Sequence, residues 1–237
     1  MDSNQIPESL YLYGEVEFLG KFVGLRKFPA DNRGLRFCDI LHYKGMENLD
    51  VRDDETVRAF ELHKDFFTIN INGIDIDPSS MAGHTKLKAT TPRCFCLCLS
   101  MLPDSDHMYR KFKADMCLKV DVANLLEFLN EKVAVKHKGL VILNRPITYF
   151  PAVVMTAPPT NDGLIFWKSN KFSDEEEYRI AIKTPPQYVI ASGQQYQMFH
   201  ATNPSYMFIG HKDKALWTEI FPEFSLKADR GFQRNRI

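Results

Sequence analysis

The stretch Phe166-Trp-Lys-Ser-Asn-Lys-Phe-Ser-Asp-Glu-Glu-Glu-Tyr-Arg179 ends in a pattern that can do chemistry. If Glu175 already belongs to a strand, alternation puts Glu175, Glu177 and Arg179 on one face and Glu176 and Tyr178 on the other. Carboxylates two apart on a strand can line a cleft. The same residues also suit a simpler arrangement, a solvated acidic turn before an edge strand with Arg179 pairing across to it. Both readings stay open at the level of residue types.

Several common catalytic devices are missing. The chain has no Gly-x-x-x-x-Gly-Lys-Ser/Thr phosphate loop, no Gly-x-Gly-x-x-Gly after a strand, no His-Glu-x-x-His and no Gly-x-Ser-x-Gly elbow. ATPase, Rossmann oxidoreductase, zincin and α/β-hydrolase readings therefore lose their main support. The seven histidines, at 42, 63, 84, 107, 137, 200 and 211, are scattered without metal-ligand pairing. Cys94, Cys96 and Cys98 alternate in Cys-Phe-Cys-Leu-Cys-Leu, which places them on one strand face. Zinc sites favour Cys-x-x-Cys pairs, so these read as small buried core residues in a reducing compartment. Alternate residues of an extended strand lie about 6.5–7 Å apart at Cα, which is too far for an ordinary disulfide. We expect free thiols and no metal.

The elements that must position these residues belong to a chain of 237 residues, 44% hydrophobic, with 18 Phe and 9 Tyr, enough apolar material for one large domain with a C-terminal tail from about residue 226. Thirty basic residues balance thirty acidic ones, so there is no broad basic field of the kind that gathers nucleic acid. Arg230, Arg234 and Arg236 form a local excess that reads as a solvated tail. Nothing resembles an export signal or a run of about 18 apolar residues, so the expectation is a cytoplasmic protein with no membrane partner.

Leu10 to Tyr13 reads as a strand, Glu15 to Val23 as a helix, and Leu35 to Ile40 as a second strand. Residues 42 to 61 read as loop and short helix, and 78 to 92 as a polar loop. Between them, Ile69 and Ile71 alternate before Asn72-Gly73 and Ile74 and Ile76 after it, the pattern of a β-hairpin with a type I′ turn. Cys94 to Leu99 is nearly continuously apolar, as a central strand would be. Met116 to Val120 reads as a strand, followed by Asp121 as N-cap of a helix carrying Val122, Leu125, Leu126 and Leu129 at i, i+3, i+4, i+7 spacing. Further strands are expected at Gly139–Leu143, at Thr148–Met155 broken by Pro151, and at Tyr178–Ile182, Tyr188–Ile190 and Tyr206–Ile209. A closing helix is expected at Lys214–Phe221. Runs of strands with few helices point to an α+β fold of mostly antiparallel sheets.

The late Glu-x-Glu-Tyr-Arg run, with Lys168, Lys171 and Phe172 ahead of it, resembles the hallmark of a bacterial and phage domain family of unknown function. Tyr11-Leu-Tyr13, Gly34-Leu-Arg-Phe37, His42-Tyr-Lys-Gly-Met-Glu-Asn-Leu-Asp50 with Asp53, Cys94 to Ser100 with Met108-Tyr109, and Met207-Phe-Ile-Gly210 are similar, in order, to other blocks of that family.

The layout of that family is in turn similar to ADP-ribosyltransferases. The resemblance implies an ADP-ribosyltransferase-like fold that cleaves NAD as a substrate and passes ADP-ribose to an unidentified protein or nucleic-acid acceptor, without a metal. On that carry-over Tyr13 stacks near the nicotinamide, Arg36 holds the NAD phosphates, Glu177 is catalytic and Glu175 lies nearest the acceptor. Ser100 takes the place of a Ser-Thr-Ser strand, for which this chain has Leu-Cys-Leu-Ser. Breaking the nicotinamide–ribose bond builds an oxocarbenium ion, which a fixed carboxylate stabilises. An Arg can hold pyrophosphate by bidentate hydrogen bonds. The alternative is a non-catalytic interaction module of a phage or bacterial defence system, in which the same residues form a packed salt-bridge network and long loops bind a protein partner.

Overall fold

The computed structural model describes residues 6–15, 19, 35–46, 50, 53–135 and 139–184, and the backbone of 206–209 and 224–226. In chain order the strands are β1 (Ser9–Gly14), β2 (Leu35–Asp39), β3 (Val57–Leu62), β4 (Ile69–Ile71), β5 (Ile74–Ile76), β6 (Thr85–Thr90) and β7 (Cys94–Ser100). They continue with β8 (Met116–Asp121), β9 (Val141–Pro146), β10 (Thr148–Phe150), β11 (Val153–Val154), β12 (Trp167–Ser169), β13 (Glu177–Lys183), β14 (Tyr206–Ile209) and β15 (Phe224–Leu226). Helix α1 (Asp106–Lys111) precedes β8, and α2 (Val122–Leu129) follows it directly. This is a mixed α+β structure with mostly antiparallel pairing. The expected helix at 15–23 (save Leu19), the strand at 188–190, the helix at 214–221 and the tail beyond 226 lie outside the described residues.

The main sheet is organised around β7, whose sequence is apolar on both faces because both are covered. β13 runs antiparallel along its whole length, from Glu177 opposite Ser100 to Lys183 opposite Cys94, and β9 continues the sheet beyond β13. On its other edge β7 is shared. β2 pairs with its N-terminal half, Cys38 opposite Cys96, whereas β1 pairs at its C-terminal end, Tyr11 opposite Ser100. β1 then carries β8 and β15, and β2 carries β14. The sheet therefore forks at Leu97–Leu99.

Alternation sorts the two faces of this sheet. Leu10, Phe37, Phe95, Leu97, Leu99, Val120, Tyr178, Ile180 and Ile182 pack against Val122, Leu125, Leu126 and Leu129 of α2 in the largest core cluster. The Asp121 carboxylate caps that helix, accepting from Asn124 N at 3.0 Å. The opposite face carries Cys94, Cys96, Ala181 and the site residues, and is covered by Ile40, Ile147, Ile165 and Phe166. A smaller layer, the three-stranded sheet β11-β3-β6 and the parallel pair β10-β12, adds a further cluster in which Trp167 stacks on Phe150 at 4.1 Å and meets Phe60 edge-on at 4.9 Å.

Two stretches expected as loop are strands, β3 within 42–61 and β6 within 78–92. They pair with each other over six residues, from Val57 opposite Thr90 to Leu62 opposite Thr85. Their polar, half-exposed sequences carry only weak alternation, so pairing decides their state. The Asn72-Gly73 hairpin forms as expected, with φ of 54° and 85° at the two turn residues. A Cβ at Gly73 would meet nothing within 4 Å, so any cost of a side chain there lies in the backbone alone. Gly73→Val will weaken this hairpin by about 1–2 kcal/mol, read as faster amide exchange across β4 and β5. Unchanged exchange would contradict the turn assignment.

No helix among the described residues is long and apolar enough to cross a membrane.

Candidate functional site

Strand β13 begins at Glu177, two residues later than the alternation argument requires. Asn170–Glu175 is a 3-10 turn, and Glu176 leaves it in the left-handed region at φ 42° with its side chain exposed. Glu175 and Glu177 are thus not strand neighbours on a common face. The bend brings them together by another route, because both carboxylates converge on one ammonium. Lys168 Nζ donates to Glu175 Oε2 at 2.7 Å and to Glu177 Oε2 at 2.8 Å. The bend is fastened to β7. Met101 N donates to Glu176 O at 2.9 Å, and Ser100 Oγ donates to Glu175 O at 2.8 Å while accepting from Leu102 N at 3.1 Å. On the far side Tyr149 OH accepts from Glu177 N at 2.8 Å.

Behind this pair lies Arg179, 0% exposed. Its Nε donates to Glu177 Oε1 at 2.7 Å, one terminal nitrogen donates to Glu55 Oε1 at 2.8 Å, and the other donates to Ile165 O at 2.6 Å and to Glu55 Oε2. Arg58, also buried, holds Glu55 Oε2 at 3.0 Å and Asp53 at 3.1 Å. At the outer end, His107 and Lys111, one turn apart on α1, both reach Asp174, at 2.6 and 2.7 Å. Lys111 Nζ also comes within 3.1 Å of Glu175 Oε1. That oxygen is buried and no donor is aligned on it.

The titration states follow from this geometry. Burial works against the Glu177 charge, but Arg179 and Lys168 outweigh it and hold the carboxyl well below the usual carboxylate range. Burial likewise opposes the Lys168 charge, and the Glu177, Glu55 and Glu175 carboxylates overcome it. Glu175 moves the other way. Its burial dominates the pull of Lys168 and pushes the carboxyl up. Two acids two residues apart are thus tuned in opposite directions, one kept ionised and the other brought closer to protonation.

A cavity of about 70 Å³, partly open to solvent, sits where the sheet forks. Tyr13, Ser100, Glu175 and Glu177 all line it, joined by Lys168, Tyr43 and Cys98. Arg36 does not. It lies on β2 beside Cys38 and His42, on the same sheet face but outside the lining. The hydroxyl of Tyr13 is engaged internally, donating to Leu102 O at 2.7 Å and accepting from Ser105 N at 2.8 Å, and its ring meets Tyr109 edge-on at 5.2 Å. Tyr43 OH and Cys98 Sγ are 3.0 Å apart. All five cysteines are free thiols, with Cys94 and Cys96 Sγ 3.4 Å apart on one face as alternation requires.

By residue type and spacing Lys168 stands out only as part of the stretch ahead of the acidic run, and Glu55 only as one residue of the segment 42 to 61 that reads as loop and short helix. Their roles depend on contacts across 124 residues for Glu55–Arg179, which local spacing does not encode. Comparison with protein-family models, with curated proteins and with solved structures returned no match.

Proposed function

We propose that the chain is an ADP-ribosyltransferase-like protein that cleaves NAD and transfers ADP-ribose to a macromolecular acceptor, protein or nucleic acid. The observation that supports this is the convergence of Tyr13, Ser100, Glu175 and Glu177, drawn from separate segments, on one cavity. Cleavage of the nicotinamide–ribose bond needs a fixed anion beside the developing oxocarbenium ion. Glu177 meets that need, since Arg179 and Lys168 keep it ionised and leave it no freedom to turn away. Glu175, displaced toward protonation, suits the proton that the acceptor releases. Arg36 keeps its assignment to the NAD phosphates as part of this proposal, at a position outside the cavity lining.

A second reading has its own support. Both oxygens of Glu177 are engaged by neighbouring cations, and the hydroxyls of Tyr13 and Ser100 serve internal bonds, which is what a non-catalytic interaction module with a packed charge network would require. Thermal shift with NAD separates the two. A ligand at a hundredfold excess over Kd stabilises the native state by about 2.7 kcal/mol, and we expect a rise in Tm at millimolar NAD. Labelled NAD incubated with the protein and a cell lysate should then mark the acceptor class. No shift and no label would favour the interaction module.

A further inference from the structure

We propose that the outer edge of β6 takes an extended acidic segment of a partner protein as an added strand, one with carboxylates at alternate positions and an apolar residue between them. The inference stands apart from the cavity and from NAD, since no residue of β6 lines that space.

β6 is an edge strand of the sheet β11-β3-β6. On one side it pairs with β3 from Val57 opposite Thr90 to Leu62 opposite Thr85. On the other side no described residue exchanges a backbone hydrogen bond with Thr85–Thr90. Lys86, Leu87 and Lys88 are all exposed. In an antiparallel pair every second residue turns its N–H and C=O away from the partner, so this edge presents a row of main-chain groups that an added strand would satisfy.

Alternation determines what that strand must carry. Residues 85, 87 and 89 share the face toward the apolar layer, where Ala89 packs against the cluster of Phe60, Leu62, Leu164 and Trp167. Leu87, opposite Phe60, remains 38% exposed at the lip of that cluster. An apolar residue beside Leu87 would extend the layer outward. Lys86 and Lys88 occupy the other face. Lys86 meets Glu61 across the strand at 3.7 Å with its side chain 85% exposed, and Lys88, opposite Ala59, joins no ion pair among the described residues. No acidic residue occurs between Asp77 and Asp104, so the segment that forms this edge brings no carboxylate of its own.

Charge decides the occupant. Two copies of β6 placed edge to edge about Leu87 would set lysine against lysine, and like charges directly opposite destabilise a strand pair. A strand with Glu or Asp two residues apart sets a carboxylate beside each lysine, and the residue between them falls beside Leu87.

The probe is an end-capped synthetic peptide, Ser-Thr-Glu-Val-Glu-Thr-Ser, with versions in which both glutamates become glutamine or lysine and one in which the valine nitrogen and its two neighbours are methylated. All carry the same dye, and binding to the wild-type protein is read by fluorescence anisotropy at low salt. We expect the glutamate peptide to bind about three- to tenfold more tightly than the glutamine one, the size of two cross-strand charge pairs. The lysine peptide should bind least, the methylated one should lose binding, and 1 M salt should erase the preference for glutamate. Joint Lys86→Glu and Lys88→Glu substitution, at two exposed positions, should reverse the order of the glutamate and lysine peptides, with circular dichroism confirming the fold. Binding of no peptide at millimolar concentration, equal binding of the glutamate and lysine peptides, or undiminished binding of the methylated peptide would each overturn the inference. So would a wild-type dimer with residues 85–90 protected from amide exchange, which would make a second copy the occupant.

Discussion

Replacing Arg179 by methionine will lower the stability of the protein by about 3–5 kcal/mol, the cost of breaking a buried ion pair by removing one partner. The side chain is fully enclosed and holds two carboxylates, Glu55 and Glu177, that are themselves buried. Methionine fills much of the volume, so the loss is electrostatic rather than a cavity effect. Without the guanidinium, the Glu177 carboxylate keeps Lys168 and Cys98, Glu55 keeps Arg58 and the more distant Lys168, and Ile165 O loses its donor. The stranded carboxyls will take up protons, and that uptake limits the loss. Urea denaturation gives the number, and adding Glu55→Gln and Glu177→Gln to the Arg179 variant should recover part of it, since the residues act as one network. A loss below about 1 kcal/mol would mean that the three groups are hydrated rather than packed as described.

Glu177→Gln will reduce NAD turnover by about 100- to 1000-fold, the usual effect of deleting one preorganised electrostatic group. The amide retains shape and some hydrogen bonding but not the charge that meets the oxocarbenium ion, so binding should survive better than turnover. Lys168 and Arg179 remain beside the neutral amide, and their uncompensated charge adds to the penalty in the transition state. Because Glu177 is also structural, the assay belongs at a temperature where the variant is folded. Glu176→Gln is the matched control. Its side chain is exposed and joins none of the hydrogen bonds of the network, and its left-handed backbone is unaffected by the change. Arg36→Ala should weaken NAD binding in ground and transition states alike.

The main sheet was legible because its strands carry strong local signals. Cys94–Ser100 is apolar on both faces, Asn72-Gly73 demands a type I′ turn, and Asp121 starts α2 at the residue where the apolar spacing changes period. The polar strands β3 and β6 were not legible, since each is defined by the other across the pairing Val57–Thr90. Within the site, alternation correctly linked Glu177 with Arg179 but gave the wrong reason for including Glu175. A left-handed residue at 176, held by Met101 N, replaces the expected strand register, and an αL glutamate has no sequence signature. Ser100 lines the cavity, and its hydroxyl also fastens the bend that aims the carboxylates. Lys168, the group on which both acids converge, was the residue that spacing alone did not single out. The covalent pattern placed a carboxylate pair near a strand start, and only packing set which cations hold it.

The most direct measurement is the rate of nicotinamide release from saturating NAD, with a heat-treated cell lysate supplying the acceptor, by the wild type, Glu177→Gln and Glu176→Gln, compared at equal folded concentration. The account predicts release by the wild type, a rate within about twofold of it for Glu176→Gln, whose charge lies off the network and exposed to solvent, and a fall of about 100-fold or more for Glu177→Gln. Equal rates for the two variants, or no release by the wild type, would contradict it.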